Sequence, residues 1–161
     1  MINEPIPFSK KWYSHKFKGA GLRYEVGVSI NTGYIVWFNG PYPCGLMSDS
    51  KIFCRNLKWL VDPCERVIAD KGYQGITQIY TPYNAKSIEH REAMGLARAR
   101  HETVNRRLKQ WQCLQQRYRH DRNKHGMVFG AVACLTQMEI AYGHPVFQIN
   151  YESRIITDNI E

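Results

Sequence analysis

The segment ERVIADKGYQG, residues 65–75, is the clearest indicator of architecture in this chain. Val67, Ile68 and Ala69 form a short apolar run that is typical of a buried strand, and the glycines after Asp70 predict a turn. Asp70 is therefore expected where the strand ends. Because ligands of open α/β sheets gather outside such strand ends, and because Mg²⁺ and Mn²⁺ prefer carboxylate oxygens, Asp70 is a candidate metal ligand.

A second segment, HETVNRRLKQW at residues 101–111, predicts an amphipathic helix. At about 100° per residue, one face carries Glu102 among basic neighbours, and the opposite face carries Val104, Leu108 and Trp111. The helix thus offers a second carboxylate among cations that suit phosphate groups. The same arrangement is also typical of a solvated ion-pair face on a surface helix, so the pattern alone leaves both interpretations open.

Four segments, in this order along the chain, resemble the DDE endonuclease domain of Harbinger and IS5-type transposases. They read FSKKWYSHKFK at 8–18, GLRYEVG at 21–27, ADKGY at 69–73 and RHETVNRRLK at 100–109. The resemblance implies an α/β fold of the RNase H-like type, with a mixed sheet flanked by helices. It also implies DNA phosphodiester cleavage that depends on Mg²⁺ or Mn²⁺. Asp70 then corresponds to the second catalytic Asp and Glu102 to the closing Glu, and both are metal ligands.

The first catalytic Asp of that family has no counterpart in this sequence. The resemblance places it on the opening strand, shortly before residues 4–8, and the only acidic residue before Tyr24 is Glu4, beside Pro5 in a predicted loop. We therefore expect a domain that is truncated at its N-terminus and lacks the central opening strand, with an open sheet edge beside Asp70. Catalysis is expected to be impaired, because two-metal chemistry uses a clamp of several carboxylates.

Asp49 lies in the segment GLMSDSKIF, residues 45–53, and has two interpretations. Ser48 or Asp49 directly precedes a periodic apolar segment, a position typical of a helix N-cap, whose side-chain oxygen accepts from a free backbone N–H. The resembling family has an Asp before a helix in a similar pattern, so Asp49 is also a secondary candidate for metal ligation. Capping is the favoured role.

Charge indicates a polyanionic partner, which the resemblance identifies as DNA. The chain of 161 residues has a net charge of +8, and many of its 22 Lys and Arg residues surround the Glu102 helix. A second basic group at 10–18 alternates with aromatic residues, which either stack on bases or close a hydrophobic edge. The candidates for phosphate contact are Lys10, Lys11, Lys16, Lys18, Arg98, Arg100, Arg106, Arg107 and Lys109.

Hydrophobic periodicity predicts the remaining elements. We expect a hairpin with strands at 22–30 and 34–38, a helix at 50–61, strands ending near Asp70 and at 79–81, and helices around Glu102 and at 125–142. In the last helix Val128, Ala131, Leu135, Met138 and Tyr142 share one register. A single domain is expected over residues 1–145, followed by a C-terminal tail at 146–161.

The sequence shows neither a signal peptide nor an apolar run long enough for a membrane span, which predicts an intracellular protein without membrane contact. A nuclear location follows if the source is eukaryotic. No helix-turn-helix is evident, so sequence-specific binding is expected to need a separate DNA-recognition protein or a missing domain. The oligomeric state is not predicted. The alternatives to a nuclease are a catalytically inactive transposase-derived DNA-binding module and an RNA-binding or protein-interaction domain.

Overall fold

The computed structural model describes residues 1–149, so most of the predicted tail lies outside the described residues. Within these residues, six strands pair into three two-stranded sheets. They are β1 (Tyr13–Ser14), β2 (Gly19–Ala20), β3 (Leu22–Val28), β4 (Ile35–Pro43), β5 (Val67–Ile68) and β6 (Ile79–Tyr80). The helices are α1 (Asp49–Arg55), α2 (Ile88–Gln110), α3 (Gln112–Gln115) and α4 (His125–Tyr142), and they make the described part a mixed α/β structure.

The hairpin of β3 and β4 confirms the predicted pair of strands, and β4 continues further than expected, to Pro43. Its turn depends on Gly33, which has φ 75° and whose N–H donates to Ser29 O at 2.9 Å. A side chain at Gly33 would also collide with Val146, because a Cβ there would lie 2.1 Å from Val146 Cγ2. Glycine is therefore required both by the backbone conformation and by the close approach of the later chain.

The single mixed sheet predicted from the sequence is not formed within residues 1–149. The β3–β4 pair is antiparallel and the β5–β6 pair is parallel, and no strand pairing joins them. Helix α2 instead contacts both β3 and β5. The His101 ring adds a polar contact to this packing, since its Nε2 lies 3.0 Å from Val26 O. Helix packing rather than a continuous ladder thus holds the two sheets in their places.

Helix α1 begins at Asp49, so Ser48 and not Asp49 is its N-cap, and the helix is shorter than predicted. Ser48 caps α1, with its Oγ accepting from Lys51 N at 3.3 Å, and Ser87 caps α2 by accepting from His90 N at 3.1 Å. Helix α1 stops at Asn56, whose φ of −129° and ψ of −79° leave the helical region. A 3-10 turn at Leu57–Trp59 replaces the predicted last turn.

The main core lies where α2 and α4 cover one face of the hairpin. The buried residues are Val104, Leu108, Phe129, Val132, Ala133, Ile140 and Val146, packed against half-buried Tyr24, Val26, Val28, Ile35 and Leu114. The Tyr24 ring stacks on Phe129 with centroids 3.8 Å apart, and its hydroxyl lies 2.7 Å from His125 Nδ1. Burying each large apolar side chain contributes about 1.5–3 kcal/mol, so this cluster is the main stabilising element.

Helix α4 has the predicted bounds, but its buried face is not the register that the sequence singled out. Phe129, Val132 and Ile140 are buried, whereas Leu135 and Met138 of the predicted register are 46% and 57% exposed. Val146 and Ile149 are buried, so the described beginning of the predicted tail packs on the domain. The division into domain and tail beyond residue 149 stays a prediction. None of the helices within residues 1–149 has the length and apolar character needed to cross a bilayer.

Candidate functional site

Asp70 stands at the end of β5, as predicted. The backbone pairing continues one residue past the strand, with Ala69 N donating to Tyr80 O at 3.0 Å, and then turns into a 3-10 segment, Lys71–Tyr73. Asp70 caps that segment, since its Oδ1 accepts from Gly72 N at 2.8 Å. The side chain is exposed. A capping contact that engages one carboxylate oxygen fixes the orientation of an acid that still faces solvent.

Three carboxylates from three different elements lie near enough to the phenol of Tyr73 to affect its ionisation. Burial raises the pKa of Tyr73 above its ordinary value, and the negative charges of Asp49, Glu25 and Asp70 raise it further. We call Glu25, Asp49, Asp70 and Tyr73 the Tyr73 cluster. Asp49 is partly neutralised by Arg23, with Arg23 Nη1 3.3 Å from Asp49 Oδ1. The cluster therefore concentrates negative charge next to the strand end that carries Asp70.

Glu25 is the functional candidate that the sequence reasoning missed. It lies in the middle of β3 with only 9% of its surface exposed, and its Oε2 accepts from Trp37 Nε1 at 2.9 Å. Its Oε1 is buried and has no hydrogen-bond partner among the described residues. Burial raises the pKa of Glu25, and Asp49 adds to the rise, while the Trp37 contact opposes it. The sequence did contain a signal for this residue, because an acidic side chain between Tyr24 and Val26 in a predicted strand is unusual.

Glu102 lies on the exposed face of α2, and the phase of that helix is as predicted for its core side. Val104 and Leu108 are 0% and 3% exposed. Trp111, predicted on the same buried face, is the residue after the last helical turn and remains 38% exposed. Within residues 1–149 Glu102 forms no ion pair with the Arg and Lys side chains beside it on the helix. Because α2 packs against β5, the helix that carries Glu102 neighbours the strand that precedes Asp70.

The donor set suits a hard cation held partly by water, not a closed protein cage. Among residues 1–149, no three His, Cys, Asp or Glu side chains stand together in an arrangement that could hold a metal ion. Mg²⁺ usually keeps several waters and is bound through one or two carboxylates plus substrate phosphates. The exposed carboxylates of Asp70 and Glu102 fit that mode of binding. Asp49 is the poorer donor because Arg23 already pairs with it.

The basic group at 10–18 lies on the surface. Lys10, Lys11, Lys16 and Lys18 are exposed. Phe17 is 58% exposed with Lys16 Nζ 5.5 Å from its ring, so this aromatic side chain is available for stacking. Trp12 behaves differently. Its half-buried ring packs against the cluster of Ile2, Ala20 and Tyr118, with Arg122 Cζ 4.9 Å from its centroid. Each of the two interpretations of the aromatic residues therefore holds for part of the segment.

Arg100 is a correction to the predicted phosphate-binding set. It is 1% exposed, and its guanidinium donates to the carbonyls of Ile30 and Phe147, so no phosphate can reach it. The helical phase contained the signal, because Arg100 lies four residues before buried Val104. Arg107 is half-buried and donates to the carbonyls of His144 and Pro145, which limits its access to DNA. The remaining candidates of this helix are all exposed, and they are Arg98, Arg106 and Lys109.

Comparisons with known proteins agree with the motifs in the chain. A family model described as "DDE superfamily endonuclease" matches residues 3–137. A "Probable transposase for insertion sequence element IS702" from Microchaete diplosiphon is 28% identical over 153 residues, which cover 87% of this chain and 54% of that protein. The chain therefore spans about half the length of this curated relative. No solved structure matches the chain.

Proposed function

The chain belongs to the DDE superfamily endonuclease family, and from this premise we propose that it is a transposase-derived endonuclease domain acting on phosphodiester bonds of DNA. One observation carries the proposal. Asp70 follows β5, Glu102 lies on the helix that packs against that strand, and both residues fall within the span 3–137 that the family model matches. Two exposed carboxylates on neighbouring elements, beside a basic surface, form the minimum arrangement for cutting a phosphodiester with a divalent ion.

In this proposal Asp70 and Glu102 bind Mg²⁺ or Mn²⁺, and Asp49 is a weaker candidate ligand. A bound divalent ion polarises the phosphoryl oxygen and makes a water or a 3′-hydroxyl a better nucleophile. The exposed basic side chains of Arg98, Arg106 and Lys109 hold the phosphate backbone next to Glu102. They also offset negative charge that develops during the reaction. Lys10, Lys11, Lys16 and Lys18 extend the DNA contact at a second surface. The dependence on salt should follow the number of phosphates that these cations neutralise.

We further propose the subtype, Harbinger or IS5-like, and an impaired reaction in this chain by itself. The four resembling segments at 8–18, 21–27, 69–73 and 100–109 support the subtype. Within residues 1–149, moreover, no three potential ligands stand in metal-binding arrangement. The second candidate function is therefore a DNA-binding module without efficient cleavage, which recruits its sequence specificity from another protein or domain. That this chain shares the whole activity of its longer relative is also part of the proposal.

The test uses the purified chain of 161 residues with labelled duplex DNA and Mn²⁺. Asp70→Asn and Glu102→Gln each remove one proposed ligand while keeping the size of the side chain. Glu92→Gln is the matched control, because Glu92 is an exposed acid on the same helix. Three quantities are measured for each protein: strand cleavage, DNA binding by gel shift, and Mn²⁺ binding by electron paramagnetic resonance. The third measurement reports on the ligands even when cleavage is slow.

The nuclease proposal expects cleavage and Mn²⁺ binding to fall in Asp70→Asn and Glu102→Gln and to persist in Glu92→Gln. Retained DNA binding without cleavage by any of the proteins supports the DNA-binding module instead. Equal cleavage by the wild-type chain and both ligand variants contradicts the assigned site, since the activity would then come from other residues or from a contaminant. Absence of salt-dependent DNA binding contradicts both functions.

A further inference from the structure

The side of α4 that faces away from the core is apolar over four turns. Met127, Met138 and Tyr142 are 68%, 57% and 89% exposed, and Leu135 is 46% exposed. Six exposed residues on this side are together called the outer stripe, and they are Met127, Ala131, Cys134, Leu135, Met138 and Tyr142. A helix that is apolar on all sides is normally covered on all sides, whereas the described residues 1–149 cover α4 only through Phe129, Val132 and their neighbours. Within residues 1–149 the outer stripe is thus an unpartnered helix face.

The outer stripe continues onto the free edge of the hairpin. Among the described strands β4 pairs only with β3, and Val36 and Phe38 on it are 66% and 42% exposed. A groove of about 460 Å³ lies between β4 and α4, with Ile35, Trp37 and Cys134 among its walls. Contiguous apolar surface of this kind marks an interaction site in soluble proteins, and an unpaired strand edge is itself a template for association.

The charge pattern of this surface favours one occupant, a second copy of the chain. Residues 31–47 contain no Asp, Glu, Lys or Arg and residues 125–142 contain only Glu139, which lies beside His144, although the chain carries a net charge of +8. Two copies with the same positive charge can therefore approach through this surface without opposing like charges. We do not expect DNA to bind to this surface, because it has no Lys or Arg side chain that could contact a phosphate.

We propose that the outer stripe of α4, flanked by the edge of β4, forms the interface of a homodimer with two-fold symmetry. In an antiparallel pair of α4 helices that cross between Cys134 and Leu135, Met127 of one protomer lies opposite Tyr142 of its partner. Ala131 then lies opposite Met138 in both halves, as a self-complementary interface requires. The exposed parts of the outer stripe, Val36 and Phe38 amount to an area on the order of the 800 Å² that each partner contributes to a standard interface.

The first test compares Leu135→Glu with Leu96→Glu by sedimentation equilibrium at high salt and without DNA. Both positions are exposed leucines on long helices, at 46% and 52%, so the two changes have similar effects on folding. With a dimer Kd of about 10 µM, the wild-type chain and Leu96→Glu should be mainly dimers of the 18.8 kDa chain at about 100 µM. Leu135→Glu should weaken the dimer at least thirtyfold, to about 300 µM. A monomeric wild-type chain at about 100 µM, or equal dimerisation of both variants, overturns the proposal.

A second measurement uses thiols near the proposed two-fold axis and leaves the apolar contacts intact. Copper(II) phenanthroline oxidises two Cys134 thiols to one disulfide, with loss of two protons and transfer of two electrons to copper(II). The wild-type chain and Cys113→Ser should yield a covalent dimer, and Cys134→Ser should not; both cysteines are free and exposed. Equal cross-linking of Cys113→Ser and Cys134→Ser contradicts the proposed crossing point and, together with a monomeric chain in sedimentation, the dimer itself.

Discussion

Helices α2 and α4 pack against the same hairpin, and they differ in what they leave on the surface. Helix α2 buries Val104 and Leu108 and exposes charged side chains, including Glu102 and Arg106. Helix α4 buries Phe129 and exposes an apolar stripe. Two helices that contribute to the same core therefore present different solvent-facing sides, one charged and one apolar. The charged surface suits phosphate and cations, and the uncharged one suits another protein surface, so the two proposed functions do not compete for the same residues.

The inner face of α4 gives the largest expected effect. Phe129→Ala should lower the free energy of unfolding by about 3–5 kcal/mol, because it removes a buried ring that stacks on Tyr24 and leaves a cavity. Met127→Ala is the control, since that side chain is 68% exposed, and it should change stability of the monomer by less than about 0.5 kcal/mol. Urea denaturation at low protein concentration measures both. Similar losses in the two variants would show that α4 is covered on both faces.

The contrast between inside and outside within α2 gives the next effect. Arg100→Met should lower the free energy of unfolding by about 2–3 kcal/mol, because the buried carbonyls of Ile30 and Phe147 lose their donor. Arg98→Met, at an exposed site two residues earlier, should leave stability nearly unchanged and weaken DNA binding. Denaturant titration and gel shifts on both variants separate the roles. A loss of DNA affinity in Arg100→Met without a loss of stability would contradict the structural assignment.

Glu25 extends the comparison to the strand that contacts α2, and its effect should appear as a pH dependence. Burial raises its pKa in the folded chain, so the folded state keeps a proton that the unfolded state has already released. The free energy of unfolding therefore falls as pH rises from about 4 through the raised pKa, and the full loss persists above it. Glu25→Gln should flatten this fall and raise stability at pH 7 by about 1 kcal/mol. Thermal melts across pH measure it.

Glu102→Gln serves as the control for that experiment, because it makes the same change of side chain at an exposed position. If Glu25→Gln instead lowers stability at every pH, the hydrogen bond from Trp37 to the carboxylate outweighs the burial of its charge. The comparison of the two variants thus separates a buried acid from an exposed one in the same candidate site.

The smallest effect concerns the two surfaces themselves. Arg106→Gln on α2 should weaken DNA binding about threefold and reduce the slope of log affinity against log salt by about 1, as expected for one lost phosphate contact. Met138→Gln on the outer stripe should leave both quantities unchanged, because no cation is removed. Fluorescence anisotropy with a labelled duplex at several salt concentrations measures the slopes. An equal effect of both changes would mean that DNA covers α4 as well.

Local patterns were sufficient for much of the architecture. The hairpin, the start of α1 at Ser48, the bounds of α4 and the position of Asp70 at a strand end all followed from alternation, helical period, capping residues and turn glycines. The core side of α2 followed in the same way, with Val104 and Leu108 buried. These features depend on residues that are neighbours along the chain, which is why one sequence is enough to predict them.

Contacts between distant segments settled the rest. Arg100 is buried because Ile30 and Phe147 supply carbonyls, Glu25 is held by Trp37 across the hairpin, and the two sheets stay apart. Both faces of α4 are apolar enough to be buried, and the Phe129 face is the one that packs against Tyr24, Val104 and Val146. Helical period reveals that an apolar face exists, but the residues that cover it come from remote parts of the chain. Which face is buried therefore depends on tertiary packing.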